Sequence, residues 1–376
     1  MGSRNRTARC SRCGVQLVVP PFARSIRCAV CRSVTHVGRS SDRVGEAVGF
    51  VKSILGNISS AVSSLNHSSS YGVQSYGYPN PLQYFPPSYP QVHGNKRAVL
   101  IGITYTSRRY ELKGTVNDVN CMSYLLSERF GFPKECILVL TEEERDQFRK
   151  PTKTNVLAAM RWLLSGCSSR DSLVFHFSGH GAQKLDTSGD EIDGYDEALC
   201  PLDFETNGMI VDDEVNSIIV RPLPTGAKLH AIVDTCHSGT ILDLPYLCRI
   251  SRTGYWQWED HSPPTGEYKG TSGGLAILIS GCDDHQTSAD TSAFAGSTST
   301  GAMTYSFIQA IESEPGTTYG RLLTNMRSAI RDTNTSIHLN GPIASLIRRV
   351  LTFRTTQEPQ LSASEMFDIY RKPLLL

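Results

Sequence analysis

The sequence predicts an α/β fold, a mostly parallel sheet flanked by helices, preceded by a small metal-held module and a flexible linker. Three features of the chain point there. From Lys96 onward short apolar runs alternate with amphipathic stretches, the pattern of strands and helices taking turns. Residues 1–43 hold nine Arg against a single acid, Asp42, together with two Cys-x-x-Cys pairs. Residues 44–95 are poor in charge and rich in Ser, Tyr, Pro and Gly. The expected divisions are 1–43, 44–95 and 96–376.

Composition removes several classes of function. With 37 Lys and Arg against 36 Asp and Glu, the chain carries no global charge for nucleic acid. At 39% hydrophobic and 19% charged it is neither a disordered polyelectrolyte nor a membrane protein. No run approaches the roughly 18 apolar residues of a membrane span. The Arg-rich N-terminus has no apolar signal core, and Arg6 breaks the myristoylation pattern that Met1-Gly2 begins. Eleven cysteines, an odd number, suit a reducing compartment. A cytoplasmic or nuclear location is expected.

The first module rests on Cys10, Cys13, Cys28 and Cys31, with fourteen residues between the pairs. Four thiolates so spaced close a tetrahedral shell around Zn²⁺ with no open position, a structural site. So short a segment buries too little to fold without its metal. Its Arg excess suits an acidic partner, a phosphate backbone or mere solvation, and without interleaved aromatics nucleic acid is the weaker reading. Next, Val44, Val48, Val51, Leu55, Ile58, Val62 and Leu65 form one helical stripe with a Ser- and Gly-rich back, a partner-docked or frayed helix, with a membrane-surface role the weaker reading. Ser68–His93 reads as a flexible linker, and its Pro86-Pro87-Ser88-Tyr89 fits the motif that WW domains bind.

In the last division the runs 97–105, 137–140, 172–177, 229–233 and 275–280 read as strands. The helices are Asn117–Phe130, a second marked by Val156, Leu157, Met160, Leu163 and Leu164, then 305–311 and 319–330. The tail is expected to add an edge strand near Gln360–Leu361. Residues 333–356 are apolar and basic and fit neither a helix nor a loop decisively.

Chemistry concentrates at two strand ends. His176-Phe177-Ser178-Gly179-His180-Gly181 closes the third strand, and Asp234-Thr235-Cys236-His237-Ser238-Gly239 closes the fourth. Working residues of parallel sheets lie past such ends, and adjacent strands would set His180 beside Cys236. An imidazole near a thiol stabilises the nucleophilic thiolate and later protonates a leaving amine. The flanking glycines let backbone N–H groups reach an oxyanion, each such donor being worth ~3 kcal/mol.

These motifs resemble the caspase-haemoglobinase clan, specifically the plant type I metacaspases. Residues 190–216 are similar to that family too, and the N-terminus resembles its zinc finger of the lesion-simulating-disease type followed by a Pro-rich prodomain. The resemblance implies His180 as general base and acid, Cys236 as nucleophile, and the N–H groups of Gly181 and Cys236 as the oxyanion hole. It implies cleavage after Arg or Lys, with pocket positions Asp118, Ser178 and Asp234. A carboxylate two residues before the nucleophile, where a caspase carries Gln, pairs with a cation and repels an acid. The family's Gly-Cys-x-Asn-Asp here reads Gly114-Thr115-Val116-Asn117-Asp118, so Thr115 replaces a pocket cysteine.

From Asp186 to Glu214 there are eleven acids and no Lys or Arg. Most suit a solvated loop, and Glu191 stands where an EF-hand starting at Asp186 needs Gly. The resemblance places an activating Ca²⁺ site on Asp196, Asp212, Asp213 and Asp243. It also implies self-processing, with Lys96, Arg97, Arg249, Arg252 and Lys269 as candidate positions, protein substrates, zinc-finger cell-death regulators as prodomain partners, and a role in plant programmed cell death or its control. The rival reading is a catalytically inert zinc-finger scaffold, against which the presence of both His180 and Cys236 speaks.

Overall fold

The computed structural model describes residues 6–9, 12, 16–19, 25–27, 34–36, 85–186, 188–189, 191, 194–235, 238–251, 254–263, 265–282, 301–332 and 358–376. The chain divides into two compact units, Met1–Tyr78 and Pro79–Leu376. In the first, Arg6–Arg9 (β1) pairs antiparallel with Gln16–Val19 (β2), and Ser25–Arg27 (β3) with Val34–His36 (β4). Each Cys-x-x-Cys pair falls in the chain between the strands of one hairpin. Cys10, Cys13, Cys28 and Cys31 themselves lie outside the described residues, as does the stripe from Val44 to Leu65.

The second unit begins with Lys96–Gly102 (β5), Thr115–Phe130 (α1), Ile137–Thr141 (β6), Lys153–Leu164 (α2) and Ser172–Ser178 (β7). An excursion follows: Gly181–Leu185 (β8), Tyr195–Leu199 (β9), Phe204–Asn207 (α3), Ile210–Val211 (β10) and Asp212–Val215 (α4). The chain returns as Lys228–Asp234 (β11), Tyr246–Ile250 (β12), Trp256–Asp260 (β13), Leu275–Cys282 (β14), Ala302–Ser313 (α5), Tyr319–Asp332 (α6) and Glu358–Ala363 (β15).

Among the described residues eight strands make the main sheet, ordered β13-β12-β15-β14-β11-β7-β5-β6. From β14 to β6 every pairing is parallel. Alternating side chains go to opposite faces, and both faces are covered. Ala98 and Leu100 of β5 join Val119, Met122, Leu125 and Leu126 of α1 together with α5 and α6. Val99 and Ile101 join Val156, Met160 and Leu163 of α2. Burial on both sides is why these strands read as unbroken apolar runs. Helix α1 lies between Gly114 and Gly131, both left-handed, and the Gly131 N–H returns to the Leu126 carbonyl.

Two expectations change. The strand near Gln360–Leu361 is not an edge: β15 inserts antiparallel between β14 and β12, with Leu361 opposite both Ile279 and Cys248. Leu361 and Ala363 are buried there, and Pro359, which has no N–H, lies where β12 does not reach. The linker reading also fails for its final part. Tyr89 is buried, its hydroxyl donating to the carbonyls of Asn155 (3.1 Å) and Phe148 (3.2 Å). Trp162 Nε1 donates to Pro90 O at 2.7 Å and Arg149 to Ser88 O at 2.8 Å. A tyrosine can bury its ring while its hydroxyl finds backbone, so the Pro-Pro-Ser-Tyr motif is docked on its own domain. Residues 333–356 lie outside the described residues.

Two histidines sit in this core. His176 Nδ1 donates to Ile232 O at 2.9 Å, and His230 Nε2 meets the Tyr319 hydroxyl at 2.7 Å. Burial pushes their pKa values down to about 4 and about 3 respectively. Both are neutral when folded, whereas the unfolded chain protonates them below ~6.5. The unfolded state therefore binds more protons between pH 6.5 and 4, and stability should fall as pH drops through that window. For His176 the loss is on the order of 3 kcal/mol by pH 4. Urea unfolding of Cys236→Ala protein at pH 7, 5.5 and 4 should show it, with a shallower slope in His230→Leu; equal slopes would contradict this account.

Candidate functional site

Strand register sets the site. Strands β7 and β11 run parallel with Ser178 opposite Asp234, so the two motif turns leave the sheet at the same height. Gly179 N–H reaches Asp234 O at 3.4 Å and Ile103 N–H reaches Ser178 O at 3.0 Å. His180 stands two residues beyond Ser178 as Cys236 stands two beyond Asp234 in the chain. Cys236 and His237 lie outside the described residues; the chain on either side of them is firmly held. Ser238 Oγ contacts the carbonyls of Thr235 and Gly281, both at 3.0 Å. Ser362 Oγ donates to Gly239 O at 3.0 Å, and Thr240 Oγ1 donates to the Glu197 carboxylate.

His180 is buried, and its Nε2 lies 2.7 Å from Tyr110 O. A carbonyl only accepts, so Nε2 carries the hydrogen and Nδ1 keeps the lone pair that takes a proton. Burial pulls the imidazole pKa below its ordinary value, partly offset by the Tyr110 bond. Around it lies a tyrosine clamp to which no sequence motif points. The Tyr105 ring sits 4.8 Å from the imidazole, its hydroxyl accepts from His180 N–H at 3.0 Å, and it donates to Cys200 O at 2.6 Å. Cys200 N–H returns to His180 O at 3.0 Å. Tyr105 has φ 54, a left-handed backbone that a non-glycine residue rarely adopts. The Glu142 carboxylate holds it by accepting from the N–H groups of Tyr105 and Thr106. Gly181 follows His180 as the first residue of β8, half-buried.

The three pocket positions come together. Ser178 Oγ donates to Asp118 Oδ2 at 2.7 Å, with Asp234 beside them. Burial raises both carboxyls above the usual range, Asp118 strongly, where the charge of Asp234 adds to it. Asp234 also secures a helix. Its Oδ2 accepts from Thr304 N (2.8 Å) and Thr304 Oγ1 (2.9 Å), in the first turn of α5. Gly301, just before α5, has φ 101, and a Cβ there would lie 3.1 Å from Asp118 Oδ1. Thr115 is fully buried against the Thr104 hydroxyl at 3.1 Å, so its difference from the family cysteine is absorbed between β5 and α1.

The acids assigned to calcium do not gather into one cage. Among the described residues no three His, Cys, Asp or Glu side chains are arranged to hold a metal ion. Asp212 turns to the N–H groups of Glu197 (2.8 Å) and Asp213 (2.9 Å). Burial, with the Glu197 charge behind it, pushes its pKa up to about 9. Asp196 is buried on β9, in register with Lys184 of β8. Asp213 and Asp243 meet instead at the ammonium of Lys269. As oxygen donors the residues suit Ca²⁺, yet the pair that converges already holds a cation. The basic positions differ from expectation as well. Lys96 and Arg97 lie in β5, in register with Ser172 and Leu173 of β7, and Arg97 is buried on Asp171 at 3.3 Å. Arg249 has an exposed side chain, but its backbone belongs to β12, between β13 and β15; Lys269 is buried, and Arg252 lies outside the described residues.

Comparison with known proteins gives two family matches and several close relatives. Residues 96–245 match the metacaspase, peptidase C14 domain family, and residues 10–34 match the LSD1 zinc finger. The chain is 52% identical to Metacaspase-1 of Arabidopsis thaliana, over 98% of this chain and 95% of that protein. It is 54% identical to Metacaspase-2 of the same plant over 76% of this chain and 74% of the other, and 46% identical to Metacaspase-3 over both entire lengths.

The tyrosine clamp has measurable consequences. In Cys236→Ala protein, where no thiolate faces the ring, nitrogen-15 spectra should show His180 as the Nε2–H tautomer, titrating below ~6.5. A Nδ1–H tautomer or a raised pKa would contradict the geometry. Removing the hydroxyl in Tyr105→Phe leaves His180 N–H and Cys200 O without their bonds, each worth about 1 kcal/mol. Turnover should fall about tenfold with KM unchanged.

Proposed function

The chain belongs to the metacaspase family of cysteine-type endopeptidases, and on that premise we propose that it cuts proteins after Arg or Lys through His180 and Cys236. Nδ1 of His180 takes the thiol proton, and the sulfur attacks the carbonyl carbon before the scissile bond. The oxygen gains negative charge facing the N–H groups of Gly181 and Cys236. The imidazolium returns the proton to the amine as the C–N bond breaks, leaving a thioester. Water, deprotonated by Nδ1, attacks the thioester; the sulfur leaves and recovers the proton, restoring the thiol and releasing the acid. The register of Ser178 with Asp234 is the observation that carries this reading.

Preference for a cation before the scissile bond is supported by the Asp118–Ser178–Asp234 group. Two carboxyls raised by burial, Asp118 also by the charge of Asp234, are stabilised by an arriving guanidinium or ammonium, whereas an acidic side chain would be repelled. Divalent-cation activation through Asp196, Asp212, Asp213 and Asp243 belongs to the same proposal. Bound there, Ca²⁺ would supply positive charge to carboxylates next to the segment that follows Cys236. Self-processing, cell-death control in plants and recognition of zinc-finger regulators through the zinc-binding N-terminal module complete the reading. Cytoplasmic residence is supported by the thiols Cys121, Cys136, Cys167, Cys200 and Cys248, none of them in a disulfide.

A fluorogenic peptide ending in Arg tests the core of it. Cys236→Ala should abolish turnover. Asp234→Asn keeps an oxygen for Thr304 but loses the charge, so kcat/KM for the Arg peptide should fall about a hundredfold or more, roughly the ~3 kcal/mol of a charged contact. Unchanged Arg turnover in Asp234→Asn would defeat the pocket assignment. Because both carboxyls are raised, they protonate early as pH falls, and only their ionised forms attract Arg. KM for the Arg peptide should therefore rise as pH is lowered; a flat KM would contradict it. Equal activity in millimolar Ca²⁺ and in excess chelator would remove the cation from the account.

A further inference from the structure

The carboxylates of Asp213 and Asp243 are bridged by a cation that belongs to the chain itself. The Lys269 side chain is 1% exposed, and its Nζ lies 2.5 Å from Asp213 Oδ1 while also contacting Asp243 Oδ2. A buried ammonium is costly without partners, and two carboxylates are what make it tolerable. Asn216 completes the junction: its Nδ2 lies 3.0 Å from Leu242 O, 3.2 Å from Asp243 O and 2.9 Å from Lys269 O. Three segments therefore meet here, the start of the π-helical turn after α4, the end of the loop that follows Cys236, and the chain leading into β14. Asp243 has φ 52, so its backbone too is held in an uncommon conformation at this point.

We propose that Lys269 is the built-in occupant of this acidic pair, and that a divalent cation binds there only by displacing it. This inference rests on the divalent-cation reading above and adds the competitor that sets its affinity. Both carboxylates converge on one cationic point, and carboxylate oxygens are the donors that Ca²⁺ takes, so an ion could take the ammonium's place. The exchange is a substitution of one cation by another: no bond other than the ion pairs is broken, and Lys269 leaves still protonated on its flexible four-carbon stem. A divalent ion gains from both carboxylates at once. The fraction of molecules with Lys269 in place lowers its apparent affinity. Removing the ammonium removes the competitor and leaves two like charges facing each other, so the segments become dependent on an added ion.

Calorimetric titration of CaCl₂ into zinc-loaded, full-length Cys236→Ala protein and into Cys236→Ala/Lys269→Met tests this without using activity. The double variant should bind at least tenfold more tightly, and its melting temperature should rise more on adding Ca²⁺. Equal or weaker binding in the double variant would overturn displacement while leaving the divalent-cation reading in place. Absence of binding in both proteins would overturn the two together. A second measurement needs no Lys269 variant, and decides the matter if that variant fails to fold. Pulse acylation of amines in Cys236→Ala protein, read by mass spectrometry, should leave Lys269 unmodified without Ca²⁺ and modify it at saturating Ca²⁺. Binding of calcium with Lys269 still protected would overturn the inference.

Discussion

The parallel pairing of β7 with β11 is the constraint on which the site depends. Because side chains alternate along a strand, one residue of slippage would turn Asp234 from the α5 face toward α2. The pairing is held by apolar residues on both sides of the sheet, Leu173, Phe175 and Phe177 on one face and Val174 on the other. The chemistry is thereby placed by burial well away from the reacting groups. The polar network adds direction: Tyr110 sets the tautomer of His180, and Tyr105, fixed by Glu142, sets the backbone that carries it.

Charge is arranged by the same economy of partners. Asp234 anchors the first turn of α5 with one oxygen while its carboxyl shares a buried space with Asp118. The groups proposed to recognise a substrate are therefore also groups that place a helix, which explains why the pocket can hold raised carboxyls without collapsing. A comparable doubling occurs at Asp213 and Asp243, where Lys269 neutralises acids and ties three segments at once.

Much of this is legible in the chain. The apolar runs of β5, β6, β7, β11 and β14 are unbroken because both faces are covered, and the stripes of α1 and α2 face the sheet as their spacing demands. Both candidate motifs can be placed because parallel strands end where turns rich in glycine begin. What escapes depends on partners distant in sequence. The insertion of β15 follows from contacts between residues near 361 and those near 248 and 279, which no local pattern encodes. Tyr89 reads as linker because its neighbours are Pro and Ser, although its ring is core. Tyr105 and Glu142 are ordinary residues until the fold brings them to His180. Lys269 looks like an exposed basic residue because sequence displays its charge and conceals its two acids.

The proposed chemistry needs His180 to act on Cys236, and thiol reactivity measures that directly. Among the described cysteines, Cys121 and Cys248 are pushed by burial up to about 12 and Cys167 to about 11, so they contribute little alkylation near neutral pH. The rate of Cys236 carboxamidomethylation by iodoacetamide, followed by peptide mass spectrometry from pH 5 to 9, should stay high well below the ~8.5 of an ordinary thiol. In His180→Gln it should retreat to that ordinary range. The same pH profile in both proteins would mean that the imidazole does not reach the sulfur, and the proposed dyad would fall.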